Sequence, residues 1–330
     1  MVAPLVDIRQ LRCHFGNDKG LLAAVDGINL HINAGEVLGL VGESGSGKST
    51  LGRVIAGLQS RSAGSVVIGG KEMPYKYSRR QFQAMSGQVQ MVFQDSYASL
   101  NPRMTILASL QEPLLTLGVG ELDTRNKARY WLERVGLPQS AGERYPHELS
   151  GGQRQRVGIA RAFITDPKFV ICDEPVSALD VSVQAQIINL LQELQREHNT
   201  AMLFIAHDLA VVRFLASRTA VMYLGEIVEI GPTKAVFASP RHPYTVSLLA
   251  AHLDGNPRER VLSTTPSVKA VANKAPLATD GGCRFAPRCN MAEAACTTKP
   301  PWLHSSRVST EVACLRLVDI EILRSRAQAL

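Results

Sequence analysis

No stretch of this sequence approaches the ~20 uninterrupted apolar residues that a membrane span needs, so no part of it is expected to cross a bilayer. The first residues, Met1-Val2-Ala3-Pro4-Leu5-Val6-Asp7, lack the basic stretch and apolar core of a secretory leader, and a cytosolic protein is the expectation. RNA- and DNA-binding signatures are missing as well, so no nucleic-acid partner is expected. The six cysteines include no C-x₂-C pair, which removes the usual zinc pattern. What the chain does have is ordinary in bulk. Its 330 residues and 45% hydrophobic content suffice for one large domain plus an appendage, or for two domains. The formal charge of +7 is uneven, because residues 255–330 carry +5 of it. By charge alone such a tail suits nucleic acid, acidic lipid head groups or an acidic partner, and without a nucleic-acid signature it reads as a solvated surface.

The densest signal is Val41–Leu51, V-G-E-S-G-S-G-K-S-T-L, in which Gly42, Gly47, Lys48 and Ser49 fill G-x-x-x-x-G-K-[ST]. The apolar run Val37-Leu38-Gly39-Leu40-Val41 before it suits a buried parallel strand, and Leu51, Ile55 and Leu58 after it recur at helical spacing. Strand, glycine-rich turn and helix N-terminus in that order make a phosphate site. Gly42, Gly45 and Gly47 let successive N–H groups converge on phosphate oxygens. Lys48 places a point charge beside the β- and γ-phosphates, and Ser49 offers a hydroxyl to Mg²⁺.

Around this loop the chain reads as an α/β protein. Residues 5–33 alternate in short apolar runs broken by turn residues, as a small antiparallel sheet does. Phe15, at the end of the first run, is placed to stack on an adenine base or to fill a core. Gly64–Gly70 and Val89–Phe93 read as strands, the second ending at Gln94. From Asp95 to about Leu149 the pattern is helical, with Pro102, Pro113 and Pro138 as breakers and Gly136 closing a helix. Leu149-Ser150-Gly151-Gly152-Gln153 then opens a helix running to Phe163, with Ser150 as N-cap and a positive terminus suited to an anion. Phe169-Val170-Ile171-Cys172 leads an apolar strand into two acids, Asp173 for the Mg²⁺ shell and Glu174 to orient or deprotonate a water. After Pro175, Ser177–Asp180 begins the helix Val181–His198, and Ala201–Ala206 delivers His207 at the carboxyl end of another buried strand, where ligands of open α/β sheets bind.

Taken together, these motifs resemble the nucleotide-binding subunit of ATP-binding cassette (ABC) transporters over roughly residues 5–250. Gln94–Arg103, Asp173–Ser182 and Pro240-Arg241-His242-Pro243-Tyr244-Thr245 are similar to the oligopeptide/dipeptide and nickel importer branch, as is the cysteine-bearing C-terminal extension. The resemblance implies a phosphate-loop NTPase core of the ABC type over residues 1–254, with an N-terminal antiparallel β subdomain and a helical subdomain at about 95–163. A small irregular extension over 255–330 follows. It implies ATP and Mg²⁺ as cofactors, and it places Gly42, Ser44, Gly45, Gly47, Lys48, Ser49 and Thr50 around the nucleotide. Ser49, Gln94 and Asp173 complete the Mg²⁺ site, Glu174 is the general base, His207 contacts the γ-phosphate, and Phe15 stands where the family stacks an aromatic on adenine. Ser150, Gly151 and Gly152 would act on ATP held by a second ATPase subunit, a paralogue or a copy, and Gln153 and Asp180 count among the nucleotide-binding residues. The implied further partners are two integral membrane permease subunits and, indirectly, an extracytoplasmic solute-binding protein. The expected location is peripheral, at the cytoplasmic face of the cell membrane. An importer of nickel or another small solute is an alternative, as is a soluble ATPase of translation or DNA repair. The single cassette and the lack of a coiled-coil insertion disfavour the soluble class.

Cys172 sits inside the acidic-pair strand and reads as a small buried hydrophobe. Cys283, Cys289, Cys296 and Cys314 fall within 32 residues at spacings x₅, x₆ and x₁₇. With Arg284, Arg288, Arg307 and Arg316 nearby in sequence, they suit an iron–sulfur cluster of the [4Fe–4S] type, with zinc or unligated thiols as the alternatives.

Overall fold

The computed structural model describes residues 3–17, 20–177, 179–253, 281–298, 304–305 and 310–316; Ala178, Arg307 and the rest of the 255–330 extension lie outside them. In chain order, β1 (Val6–Asn17) and β2 (Gly20–Ile32) form a bulged antiparallel hairpin, and β3 (Val37–Val41) leads into α1 (Lys48–Ile55). β4 (Ala63–Ile68), β5 (Lys71–Glu72), α2 (Arg79–Ser86) and β6 (Val89–Val92) follow. Then come α3 (Ile106–Thr116), α4 (Glu121–Arg134) and α5 (Gly151–Phe163), the helical stretch expected between β6 and the acidic strand. β7 (Phe169–Asp173), α6 (Val181–His198), β8 (Ala201–Ile205) and α7 (Leu209–Leu215) complete the α/β alternation. A hairpin of β9 (Arg218–Tyr223) and β10 (Glu226–Pro232) precedes α8 (Thr233–Ala238) and α9 (Pro243–Leu253), and the last described elements are α10 (Ala294–Thr298), β11 (His304–Ser305) and β12 (Glu311–Val312).

Two sheets result. The smaller is antiparallel, in the order β2-β1-β4-β5; the larger runs β11-β12-β10-β9-β3-β8-β7-β6, with β6, β7, β8, β3 and β9 mutually parallel. β3, β7 and β8 are buried along their whole length, which is why they read as unbroken apolar runs. Alternate residues serve opposite cores, as the strand period dictates. Leu38, Leu40, Phe169, Ile171, Leu203 and Ile205 face the core shared with the small sheet and α1. Val37, Val41, Val170, Cys172, Met202 and Phe204 face the helices, including Trp131 and Phe163. Gly52 lets α1 lie close on the sheet, because a Cβ there would stand 3.1 Å from both Ile171 Cγ2 and Ile205 Cδ1. That seating keeps the N-terminus of α1 over the carboxyl ends of the parallel strands. Within the extension, β12 pairs with β10 and so lengthens the main sheet.

Candidate nucleotide site

The phosphate loop leaves β3 and re-enters α1 through Gly47, whose φ of +106° belongs to glycine; a Cβ there would meet the Ala24 carbonyl at 2.0 Å. The β1–β2 hairpin therefore lies directly against the loop. Lys48 is only 5% exposed, and its Nζ donates to the carbonyls of Gly42 (2.8 Å) and Glu43 (3.0 Å). Burial draws its pKa below the ordinary lysine value, and Glu174, Asp173 and Glu43 oppose that pull. Ser44 and Gly45 are exposed at the loop's crest, while Ser49 and Thr50 are half-buried at the start of α1.

The predicted chemistry converges at the ends of four strands. Ser49 Oγ donates to Asp173 Oδ1 at 2.7 Å, and burial raises the Asp173 pKa while that hydrogen bond lowers it. Magnesium fits these donors, because a hydroxyl, a desolvated carboxylate and the nearby Gln94 amide are the hard oxygen ligands it takes. Gln94 Nε2 donates to Glu174 Oε2 at 2.8 Å, and His207 Nδ1 lies 3.7 Å from the same oxygen. Glu174 itself is strained, with φ at +46°. Its N–H donates to the Ile205 carbonyl, and its own carbonyl accepts from Ser177 N and Oγ. A non-glycine residue in that region costs roughly 1–3 kcal/mol, and such strain concentrates at functional positions.

Two predicted groups lie apart from this cluster. Ser150 caps α5 as expected, its Oγ accepting from Gln153 N while Gln153 Oε1 accepts from Ser150 N. Gly151 and Gly152 pack towards Leu179 and Val183 at the start of α6, and Asp180 is exposed with no side-chain cap bond. The anion-seeking helix end is thus built. Phe15 is 38% exposed on the β1–β2 hairpin, so it is not the core residue that local sequence allowed.

The four tail cysteines do meet: all line one pocket, with His242 and Phe285. Among the described residues, however, no three His, Cys, Asp or Glu side chains are placed to hold a metal ion. Burial raises the thiol pKa of Cys283 to about 11 and of Cys314 to about 12, and raises that of Cys289 as well. Cys314 Sγ is also engaged with the Arg316 backbone. The arginines expected to support a cluster are occupied elsewhere: Arg284 pairs with Asp26 and Glu226, Arg288 with Glu43, and Arg316 with Glu293. Neither the iron–sulfur cluster nor zinc is supported by this arrangement.

Sequence reasoning missed the residues that hold the loop from behind. Tyr244, fully buried, accepts a hydrogen bond from Glu43 N–H at 2.8 Å. Glu229, also fully buried, accepts from the backbone N–H of Arg241 and His242, and His242 Nδ1 accepts from Tyr244 N–H. The R-H-P-Y run was visible as a branch signature, and an acid inside the apolar strand Ile227-Val228-Glu229-Ile230 was a second signal that this run is braced.

A glycine cradle at a helix N-terminus, an acid pair at a strand end and an adjacent glutamine and histidine define a phosphate-loop nucleotide hydrolase. A family model described as ABC transporter matches residues 25–177, and one described as oligopeptide/dipeptide transporter, C-terminal region, matches residues 228–296. A putative peptide import ATP-binding protein of Brucella ovis is 44% identical over 95% of this chain and 98% of its own. The oligopeptide transport ATP-binding protein OppF of Salmonella typhimurium is 43% identical over 95% of this chain and 96% of its own. Among solved structures, a dimeric ATP-binding cassette in a post-hydrolysis state bound to ADP and Pi superposes with a TM-score of 0.64 at 28% identity, over 69% of this chain and 98% of that one. The chain belongs to the ABC transporter family, in the group of ATP-binding proteins with the oligopeptide/dipeptide C-terminal region. Its activity is ATP hydrolysis coupled to transport. Among the described residues no helix is long and apolar enough to cross a membrane.

Proposed function

We propose that this chain energises the import of oligopeptides or dipeptides, working at the cytoplasmic face of the membrane beneath two permease subunits. A second ATPase subunit, copy or paralogue, is its partner, and a solute-binding protein on the far side presents the cargo. The alignment of peptide-import ATP-binding proteins over 95% of the chain carries this reading. The proposed division is an ATPase domain over 1–254, with its helical subdomain at about 95–163, and a C-terminal extension over 255–330.

In the proposed mechanism the loop N–H groups and Lys48 bind the β- and γ-phosphates, and Phe15 stacks on adenine. Ser49, Asp173 and Gln94 would hold Mg²⁺, which supplies charge neutralisation between the phosphates. Glu174 accepts the proton of the attacking water, with Gln94 fixing its carboxylate, and His207 bonds the γ-phosphate. The capped turn Ser150–Gln153, with Asp180, addresses ATP bound by the partner subunit. Each site is therefore shared between two chains, and ATP joins them until it is cleaved.

The test is purification of the tagged chain from detergent-solubilised membranes. Integral membrane subunits should come with it, and uptake of labelled di- and oligopeptides should stop in a Glu174→Gln strain. Recovery without membrane subunits, or loss of nickel uptake with peptide uptake intact, refutes the reading. The same purification under anaerobic conditions checks the tail thiols, since a brown protein would restore the cluster.

A further inference from the structure

The phosphate loop is also gripped from the far end of the chain. Glu43, inside the loop, donates its N–H to Tyr244 and accepts from Lys48 at its carbonyl. Its carboxylate receives a two-pronged contact from Arg288, 245 residues away, with Nη1 2.9 Å from Oε2 and Nη2 3.0 Å from Oε1. The side chains are 17% and 30% exposed, so this is a largely enclosed pair. Arg288 also lies 3.4 Å from Tyr223 Oη.

Arg288 belongs to a short segment, Cys283–Cys289, that is fastened throughout. Phe285 is 2% exposed, its ring against Tyr223 and Tyr244 at centroid distances of 5.4 and 5.6 Å. Arg284 donates to the Leu224 carbonyl and pairs with Asp26 on the β1–β2 hairpin. The residue after Leu224, Gly225, donates its N–H to the Ser46 carbonyl of the phosphate loop at 2.8 Å. One segment of the tail thus reaches the loop by two routes, directly through Glu43 and through the β9–β10 turn. None of the phosphate chemistry requires either.

We propose that Arg288 is a positioning residue of the ATP site: its fork fixes Glu43, and through Glu43 the path of the loop whose N–H groups receive the phosphates, so the C-terminal segment sets nucleotide affinity. This deepens the ATPase reading and rests on it. A guanidinium fork matched to a carboxylate fixes distance and direction together, which a lysine's point charge does not. Phosphate-binding N–H groups held to within about half an ångström retain their full effect, and a looser loop loses it.

The experiment is titration of the full-length chain, with Mg²⁺ present, by a fluorescent ATP analogue. Arg288→Met should raise Kd about tenfold, equivalent to about 1.4 kcal/mol. Arg288→Lys, which keeps the charge and loses the fork, should raise it about threefold. Glu43→Gln also removes a negative charge from beside the phosphates, and a double-mutant cycle separates the two effects: in the Glu43→Gln background, Arg288→Met should no longer change Kd. Melting temperature without nucleotide is recorded for each variant, because a merely structural brace would lower it and leave Kd unchanged. A Kd within twofold of the parent for folded Arg288→Met, or fully additive losses, overturns the proposal. If Arg288→Met does not fold, Arg288→Lys, alone and in the Glu43→Gln background, decides between the same two outcomes. Failure of the parent chain to bind the analogue would instead refute the nucleotide site itself.

Discussion

Glu174→Gln isolates the proton-accepting step, because the exchange alters charge and little else. The backbone at φ +46° is held by bonds from Glu174 N to Ile205 and from Ser177 to the Glu174 carbonyl, and none of these involves the side chain. Gln94 Nε2 still finds an oxygen acceptor on the new amide, in place of the 2.8 Å bond to the carboxylate. The lost charge assistance is worth about 1 kcal/mol of stability at most in a site this open. An amide cannot take the proton of the attacking water, so turnover should fall by about 10²–10⁴. At 1.36 kcal/mol per tenfold, that raises the barrier by about 3–5 kcal/mol. Nucleotide affinity should hold or improve. The Glu174 carboxylate is the largest charge steadying the Lys48 ammonium, and its removal leaves that ammonium to the phosphates and takes away a repulsion. Single-turnover hydrolysis of labelled ATP, beside an equilibrium titration of the same preparation, measures both quantities. Hydrolysis within about fivefold of the parent at full occupancy would show that Glu174 is not the base.

Three further outcomes follow from other parts of the site. Lys48→Ala should weaken ATP binding about 10- to 100-fold, the worth of one charge-assisted contact, and an unchanged titration contradicts the loop assignment. Ser150→Ala removes the capping box of α5 and should cost about 1 kcal/mol of stability. It should leave ATP binding to a single chain unchanged and depress turnover of the assembled pair; equal turnover by the pair would separate this turn from the partner's ATP. His242, 1% exposed, is held neutral by burial, which takes its pKa from 6.5 down to about 3. Between those values the unfolded chain binds a proton that the folded chain refuses, so stability should fall as pH drops below 6.5, by about 1.4 kcal/mol per unit. Denaturant melts of the full chain from pH 7 to 4.5 should show a shallower slope in His242→Asn, and identical slopes would exclude His242 as the source.

Local signals explain what could be read from the sequence. The Phe169–Asp173 strand, the Val181–His198 helix and the Ser150 cap stand where the sequence placed them. Each is announced within a few residues, by an unbroken apolar run, a helical period or a serine three positions before a glutamine. That Gln94, Glu174 and His207 meet at one edge follows from the same kind of signal, because strand ends in a parallel sheet share one edge, whereas the Gln94–Glu174 bond itself was not expected. Ser78 and Gln81 carry the same capping signal before α2.

What stayed illegible is held together by contacts between distant parts of the chain. Spacing among Cys283, Cys289, Cys296 and Cys314 suggested a ligand set surrounded by arginines, and the thiols do share one pocket. Their neighbours Arg284 and Arg288 turn instead to Asp26, Glu226 and Glu43. No periodicity links position 43 to position 288, and the pairing becomes visible only once Phe285 is set among Tyr223 and Tyr244. A basic residue in an irregular tail reads as solvated surface until a carboxylate is found opposite it. The tail's positive charge therefore has a second meaning beside solubility: two of its arginines neutralise acids that flank the phosphate loop, where an unpaired carboxylate would repel the triphosphate that the loop exists to bind.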